Sequence, residues 1–585
     1  MKTYVLFSYL FCLMIQSCAS TERKFYQHES RQRQTFEATG ENAMVATAHP
    51  LASRAALKVL KRGGNAIDAA ICASFVLAVV RPQSTGIGGG GFLLYHQPST
   101  QKTTVLDFRE EAPRKSYANM YVSADGKAIP FLYKDQTLAN ASLNGHLSAG
   151  VPGLVAGLVK SHQRFGKLKF KDLVQPAIDL ARDGFKVYPS LARAIEKRKN
   201  VLMTFSESRK IFLPRNKPLQ TGDTLKQKDL AKSLQLIAEN GQKVFYHGSI
   251  ASAIVSEFKE YGIMEKEDLS SYKVKERSAI TSSYKGYKIK SMPPPSSGGI
   301  HIAQILNILE NDDLHSSGHN SFQSIHLIVE AMRRAYYDRS KYLGDPEFTS
   351  VPRTGLLSKK YARSLRNSFH SSRATPSTSL GKLSPLNYES ESTTHISIVD
   401  QWGQAVSSTQ TINYLFGSGV VVKGTGILMN NEMDDFSISP GKPNVYGLIG
   451  GAANAIAPKK RMLSSMSPTM VFDSENRLLL VTGAPGGSRI ITAIVQMILN
   501  IIEYKMTLRD AVHSFRFHHQ YMPDTIFYEK DSLQSSTIKK LQTLGYDTKI
   551  STRYLGDIQA IQRDFKNQLW LGVSDTRSDG KALGF

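Results

Sequence analysis

The sequence predicts an α+β fold, with helical patterns concentrated before about residue 345 and strand patterns after Thr393. Three observations carry that reading. At 585 residues the chain exceeds one ordinary core, so two intimately packed pieces or one large layered fold are expected. Residues 150 to 345 alternate helical periodicity with polar loops, whereas the chain from Thr393 onward begins by alternating apolar and polar positions with a period of two. Hydrophobic residues at 41% and charged residues at 21% are ordinary globular values and exclude disorder of the whole chain. No internal repeat is visible.

The chain opens on an apolar run from Tyr4 to Ile15, preceded only by the charge of Lys2 and followed by Gln16-Ser17-Cys18-Ala19-Ser20. That run is too short for a stable membrane anchor and reads as a secretory signal over residues 1–18, with cleavage there or as late as residue 20. Cleavage after Ala19 or Ser20 gives a simple periplasmic protein. Cleavage before Cys18 leaves a lipidated cysteine, since Ile15-Gln16-Ser17-Cys18 resembles a bacterial lipoprotein box with a poor fit at Gln16. Cys12, Cys18 and Cys72 are the only cysteines, so a mature chain with Cys72 alone forms no internal disulfide.

Residues up to about Thr35 are polar and expected to be mobile. Met44 to Ala48 then reads as a short strand, and Leu51 to Arg62 has helical spacing. Gly63-Gly64 ends that helix, Asn65 caps the next, and Ala66 to Val80, apolar nearly all round, predicts a buried helix. Gly86-Ile87-Gly88-Gly89-Gly90-Gly91 matches the dinucleotide pattern GxGxxG in letters, but a helix precedes it and the strand Phe92 to Tyr95 follows. Pyrophosphate binding needs the reverse order, so close backbone packing is the expected role.

Pro293 to Gly299 marks a turn or crossover, and a Ser-rich tract from Ser371 to Ser392 reads as flexible. Thr394, Ile396 and Ile398 then alternate with His395, Ser397 and Val399. Asp400 to Gly403 makes a turn, and Ala405 to Ile412 supplies a partner strand. Strand Leu478 to Thr482 leads through Gly483-Ala484-Pro485-Gly486-Gly487-Ser488 into a helix from Ile490 to Ile502, an order that holds anions on backbone N–H groups.

Lys and Arg number 73 against 49 Asp and Glu, a net charge of +24. From Thr393 to Phe585 the count is 19 against 16, so nearly all the excess lies earlier, in helical-looking runs such as Lys58 to Arg62 and Arg193 to Lys199. No aromatics interleave those runs, which favours solvated helix faces over a nucleic-acid groove. Attraction to an acidic envelope surface, or steering of small anions, stays open.

A nucleophile at the seam between a flexible tract and a strand suggests a precursor that cuts itself. A threonine hydroxyl is weak and needs an adjacent base. Cleavage between Ser392 and Thr393 supplies one, because a free α-amino group has a reference pKa of about 7.7–8.0. Taken alone, however, Thr393 reads as an edge-strand threonine after a loop, and Asp434-Asp435 as solvated surface. His518-His519 reads as a packed structural pair, because adjacent histidines do not easily face one ion and no third ligand stands at metal spacing. His395 is no triad base, since motifs such as GxSxG are missing.

Eight separated blocks change the reading of Thr393 and Asp435: MVATAHPLAS at Met44, GGNAIDAA at Gly63, DFREEAP at Asp107, SAGVPG at Ser148, TTHISIVD at Thr393, NNEMDDFS at Asn430, LSSMSPTM at Leu463 and GAPGGSRI at Gly483. With these blocks in order from about Ala43 to Phe585, the chain resembles the γ-glutamyltranspeptidases (γ-glutamyltransferases, glutathione hydrolases). The resemblance implies the N-terminal nucleophile hydrolase fold, a four-layer αββα sandwich formed jointly by two subunits. It also implies autocleavage into a large subunit, residues 19–392, and a small catalytic subunit, residues 393–585, which remain together as a heterodimer.

Carried over by position, the resemblance makes Thr393 the nucleophile and new N-terminus, freed by attack on the Ser392 carbonyl. Thr411 matches the threonine that orients it, and Gly486 and Gly487 match the oxyanion hole. Arg109, Ser464 and Ser465 match the groups that hold a substrate α-carboxylate; Asn413, Glu432 and Asp435 match those that hold its α-ammonium. Glu432 stands where many bacterial members carry glutamine and others glutamate. Tyr446, within Pro440 to Gly447, matches a lid loop that some cephalosporin-acylase relatives lack. The implied reaction moves the γ-glutamyl group of glutathione or a related amide to Thr393, then to water, an amino acid or a dipeptide. No metal or other cofactor is implied. The rival readings are a related acylase for glutaryl-type or antibiotic amides, and a non-catalytic binding protein of the same fold.

Overall fold

A computed structural model describes residues 36–124, 126–380, 393–438 and 451–585. The expected signal with Cys12 and Cys18, the end of the Ser-rich tract with Ser392, and the lid loop with Tyr446 lie outside the described residues.

Two seven-stranded sheets organise the chain, and every pairing within them is antiparallel. One runs in the order Glu37–Gly40, Leu569–Ser574, Gln559–Asp564, Leu478–Gly483, Thr469–Phe472, Tyr287–Ser291, Ile280–Tyr284. The other runs Lys581–Gly584, Met44–Thr47, Thr394–Val399, Ala405–Thr411, Gly90–Gln97, Lys102–Phe108, Lys275–Ser278. Both sheets therefore interleave strands from before and after Thr393, and the strand that Thr393 introduces lies in the middle of its sheet.

Alternation along the strands sorts their side chains between two cores. Val45, Leu93, Ile396, Ile398 and Val406 pack with the helices Pro50–Lys61 and Ala66–Val80. Met44, Ala46, Phe92, Leu94, Val399 and Ala405 turn toward the other sheet, joining Met470, Leu480 and Val481. The same core takes in the helices Gly298–Leu309, Phe322–Tyr342 and Arg489–Ile502. The polar residues of the strands Thr394–Val399 and Ala405–Thr411 are buried between the sheets as well. Ser397 Oγ donates to the Gln559 carbonyl at 3.0 Å, and Ser407 Oγ to the Thr482 carbonyl at 3.0 Å. His395 Nδ1 sits 2.8 Å from Thr409 Oγ1, and burial holds the ring neutral with a pKa of about 3.

Every residue of Ala66–Val80 is buried, as its all-round apolarity requires. Its N-terminus is fixed by carboxylates, which the exposed N–H groups and helix dipole favour. Asn65 and Asp68 form a capping box, and Asp68 also accepts the N–H groups of Lys167 at 3.0 Å and Leu168 at 3.1 Å. Asp400 accepts from Ala66 N at 2.8 Å and from Trp402 N and Gln404 N at 2.9 Å each. The turn after the strand Thr394–Val399 is thereby clipped to the buried helix. The glycine run serves close packing: a Cβ on Gly89 would lie 2.2 Å from the Thr411 carbonyl oxygen. Cys72 is a buried free thiol whose pKa burial pushes up to about 12. Among the described residues no helix is long and apolar enough to cross a membrane.

Replacing Asp68 by alanine leaves the N–H groups of Asn65, Lys167 and Leu168 without their acceptor. The expected loss is roughly 3 kcal/mol, measured as a lowered thermal unfolding midpoint. An unchanged midpoint would show that the carboxylate is dispensable to the fold.

Candidate active site

Extending the strand register by one residue sets Thr393 opposite Thr411. Thr411 ends its strand, and its Oγ1 accepts the Asn413 N–H at 2.8 Å. That bond closes a turn in which Asn413 takes a left-handed conformation, φ 71°, which asparagine tolerates better than most residues. Asn413 Nδ2 donates to the Asn431 carbonyl at 2.9 Å. Its Oδ1 is left buried with no donor among the described residues.

Asn431 caps a single 3-10 turn, Glu432–Asp435. Glu432 and Asp435 both form ion pairs with Arg109, and Glu110 lies 3.4 Å from the same guanidinium. Arg109 directly follows the strand Lys102–Phe108, and a second buried arginine fixes that strand end. Arg461 pairs with Asp107 at 2.6 Å and Glu111 at 2.8 Å; Asp107 in turn accepts the Arg109 N–H at 3.0 Å.

The wall opposite comes from two docked turns. Ser464 N–H donates to the Pro295 carbonyl and the Ser464 carbonyl accepts from Ser297 N–H, each at 2.8 Å. Arg339 reaches Ser297 Oγ at 3.0 Å and Ser465 Oγ at 3.2 Å. The expected turn at Pro293 to Gly299 thus buttresses the site and starts a helix at Gly298. Strand Leu478–Gly483 passes through residues 484–488 into the helix Arg489–Ile502. Gly486 and Gly487 have φ of 136° and 58°, a region in which a Cβ is strained. The Tyr336 hydroxyl donates to the Ser488 carbonyl. A Cβ on Gly483 would lie 2.2 Å from His395 Cε1, so the strand Thr394–Val399 packs against the root of the glycine turn.

Arg109, Thr393, Thr411, Asn413, Glu432, Asp435, Ser464, Ser465 and Gly487 border one small cavity, together with Arg339. Gly486 borders a second, larger space that also reaches Thr393. Ser392 and Tyr446 lie outside the described residues. The sequence reading missed Arg339, Ser297 and Glu110. Arg339 sits in a basic helical run that looks solvated, and the one available signal was the pair of serines in the Pro-rich turn, which need partners when buried. His518 and His519 bond to Thr492 at 2.8 Å and Asp524 at 3.2 Å respectively. No cluster of His, Cys, Asp or Glu suited to a metal ion occurs among the described residues.

The electrostatics are lopsided, with one guanidinium facing three carboxylates. Burial opposes the charge on Arg109, but Glu432, Asp435 and Glu110 together hold its pKa above the ordinary arginine value. Burial pushes Glu432 and Asp435 upward, with Arg109 offsetting only part, and raises Glu110 to about 7. Arg339 also acts on Asp435, and Arg461 on Glu110, yet burial still outweighs these cations for all three carboxylates. Glu432 Oε1, Glu110 Oε1 and Asn413 Oδ1 are buried acceptors lacking a donor among the described residues. On the other wall, burial lowers the pKa of Arg339 to about 10, leaving a cation that an anion would stabilise. The cavity is thus shaped for a small zwitterion beside a threonine hydroxyl.

The chain matches the family model described as Gamma-glutamyltranspeptidase over residues 52–585. It is 46% identical over 539 residues to the glutathione hydrolase proenzyme of Escherichia coli (strain K12), covering 92% of this chain and 90% of that one. Among solved structures it is similar to a cephalosporin acylase from Bacillus halodurans (TM-score 0.81, 27% identity, 94% of this chain and 97% of that one). It is also similar to the Helicobacter pylori gamma-glutamyltranspeptidase (TM-score 0.54, 43% identity, 57% of this chain and 93% of that one). These likenesses include N-terminal nucleophile hydrolase structures, and the mixed α/β architecture with antiparallel sheets agrees with them.

Arg461→Met keeps much of the side-chain volume but strips a buried cation from Asp107 and Glu111. The expected cost is about 3 kcal/mol or more, seen in the thermal midpoint, and Arg461→Lys should recover only part because one ammonium replaces a planar fork. Equal midpoints for all three proteins would contradict this support role.

Proposed function

The chain belongs to the gamma-glutamyltranspeptidase family, and from that membership we propose that it is a self-processing γ-glutamyltransferase and glutathione hydrolase acting through Thr393. The observation that carries the reading is that Arg109, Arg339, Glu432 and Asp435 line one cavity with Thr393, beside the orphan acceptors Asn413 Oδ1 and Glu432 Oε1. A γ-glutamyl group ends in an α-ammonium and an α-carboxylate on one carbon. Its ammonium donates to Asn413 Oδ1, Glu432 and Asp435. Its carboxylate takes Arg109, Ser464 and Ser465, with Arg339 behind. Binding exchanges the internal ion pairs of Arg109 for pairs with the ligand.

Maturation begins when Thr393 Oγ attacks the Ser392 carbonyl carbon. The C–N bond breaks, the hydroxyl proton passes to the departing nitrogen, and water hydrolyses the resulting ester. The freed α-amine then serves as base for turnover. It takes the hydroxyl proton as Oγ attacks the γ-carbonyl, while Thr411 orients the hydroxyl and the N–H groups of Gly486 and Gly487 receive the oxyanion. The leaving amine takes that proton. Water releases glutamate from the acyl-enzyme, or an amino acid or dipeptide amine accepts the group.

Helices lying outside two facing sheets support the four-layer αββα arrangement of the N-terminal nucleophile hydrolases. In this reading residues 1–18 direct export to the periplasm or, through Cys18, to a lipid anchor. Residues 19–392 form the large subunit and 393–585 the small one, with Tyr446 in a lid over the glutamyl group.

Electrophoresis should resolve two pieces, and N-terminal sequencing should begin the smaller at Thr393 and the larger near residue 18. Thr393→Ala should remain one chain with no turnover; a single band for the unmutated protein defeats the self-cleavage claim. Glutaryl-p-nitroanilide lacks the ammonium and should be cleaved roughly a hundredfold or more less efficiently than γ-glutamyl-p-nitroanilide. The reverse preference would select the acylase reading.

The raised carboxylates also set a pH dependence. A carboxylate with an elevated pKa is charged only above it, so affinity for the ammonium grows with pH. The donor KM should rise as pH falls, because burial raises the pKa of Glu432 and Asp435, and Glu432→Gln should flatten that rise. A KM independent of pH from 5 to 8 in the unmutated enzyme would exclude titrating carboxylates from the site.

A further inference from the structure

The cavity beside Thr393 has two walls assigned above to opposite charges, Glu432 and Asp435 for an α-ammonium and the stretch Leu463 to Ser465 for an α-carboxylate. An amino acid head presents those charges at a separation fixed by one carbon. The distance between the walls therefore decides whether both charges are met at once.

Asn454 spans the two walls from behind the lining. Its Nδ2 donates to the Asp435 carbonyl at 2.7 Å, 19 residues earlier in the chain, and its Oδ1 accepts the Leu463 N–H at 3.0 Å, 9 residues later. Its own carbonyl accepts the Ser437 N–H at 2.9 Å. The residue is 4% exposed, so these bonds face little competition from bulk water. The turn that carries it is fixed in its turn. Ala452–Asn454 is a single 3-10 turn, and Lys460 Nζ donates to the carbonyls on either side of Asn454, Ala453 at 2.8 Å and Ala455 at 2.9 Å. A Cβ on Gly344 would lie 2.2 Å from the Ala453 oxygen, so the turn also rests on the chain beyond the helix Phe322–Tyr342.

Arg109 closes a ring with these bonds. It pairs with Asp435, and its Nε donates to the Met462 carbonyl at 3.3 Å. A ligand carboxylate that engages the guanidinium weakens its hold on Asp435. The Asn454 bonds use backbone groups of Asp435 and Leu463 and leave the Asp435 carboxylate to the ammonium. They keep the walls in register while the ion pairs are exchanged.

We propose that Asn454 is a positioning residue for the donor head group. Acting through Asp435 and Leu463, it fixes the separation of the two walls and so confines efficient donors to those bearing an ammonium and a carboxylate on one carbon. The inference rests on the γ-glutamyl transfer reading.

The test compares γ-glutamyl-p-nitroanilide with glutaryl-p-nitroanilide, which meets the carboxylate wall alone, in the mature enzyme. Asn454→Leu keeps a similar volume and makes neither side-chain bond. The preference for the γ-glutamyl substrate should shrink roughly tenfold, the worth of one hydrogen bond to a charged group, through a higher KM for that substrate. A general packing defect lowers both efficiencies in proportion, so an unchanged ratio would overturn the inference while γ-glutamyl chemistry stands. If Asn454→Leu yields no folded enzyme, Lys460→Met decides by the same ratio, since it frees the carbonyls flanking Asn454 from a residue outside the lining. Failure of the unmutated enzyme to prefer the γ-glutamyl substrate would overturn the γ-glutamyl reading itself, and this inference with it.

Discussion

One guanidinium shared among three carboxylates, in a place with little water, is the constraint on which the rest of this structure depends. Left to itself such a set is unfavourable, because desolvated like charges repel and one cation satisfies only part of them. The protein holds it together with a scaffold far larger than the site. Arg461 locks Asp107 and Glu111 on either side of Arg109 and Glu110. The turn at Glu432 is anchored through Asn430 and Asn431, whose side chains bond to the glycine run and to the loops at 143 and 150. Buried carboxylates with raised pKa values, held around Arg109 at that structural expense, are a mark of a binding site.

Thr393 is placed by a different means, the seam between the two sheets. Polar residues of the strand it introduces bond across to Gln559, and those of the neighbouring strand to Thr482. His395 packs on Gly483, the last strand residue before the glycine turn. Thr393 and the glycine turn consequently share one support. The neutral state of His395 matters here, since a charged imidazole at this depth would need a counter-ion that the seam does not provide.

Much of this was legible in the chain. The capped, all-apolar run Ala66 to Val80 could only be a buried helix, and the alternation after Thr393 a strand, because each pattern has one low-energy solution. The strand-to-helix order around Gly486 and Gly487 was equally plain. What stayed hidden has a common cause. The burial of His395 and Ser397 was not legible, because period-two alternation does not distinguish water from a hydrogen-bonded partner sheet. Arg339 looked like one more surface charge, because a basic helix reads alike whether its arginines meet solvent or buried serines. The convergence of Arg109, Asn413 and Asp435 was visible only through family likeness. No local rule links residues about 300 positions apart.

Interleaving of strands from both sides of Thr393 in each sheet carries a kinetic consequence. While the chain is whole, every sheet contact forms within one molecule, and folding is independent of concentration. Opening the bond before Thr393 leaves the contacts in place but removes the tether, so the two pieces persist together only for as long as the sheets do. Should they separate, reassembly becomes an encounter between two solutes, slower with dilution and open to aggregation of the exposed strand edges. If maturation cuts there, as proposed, it removes the bond that made assembly a first-order process.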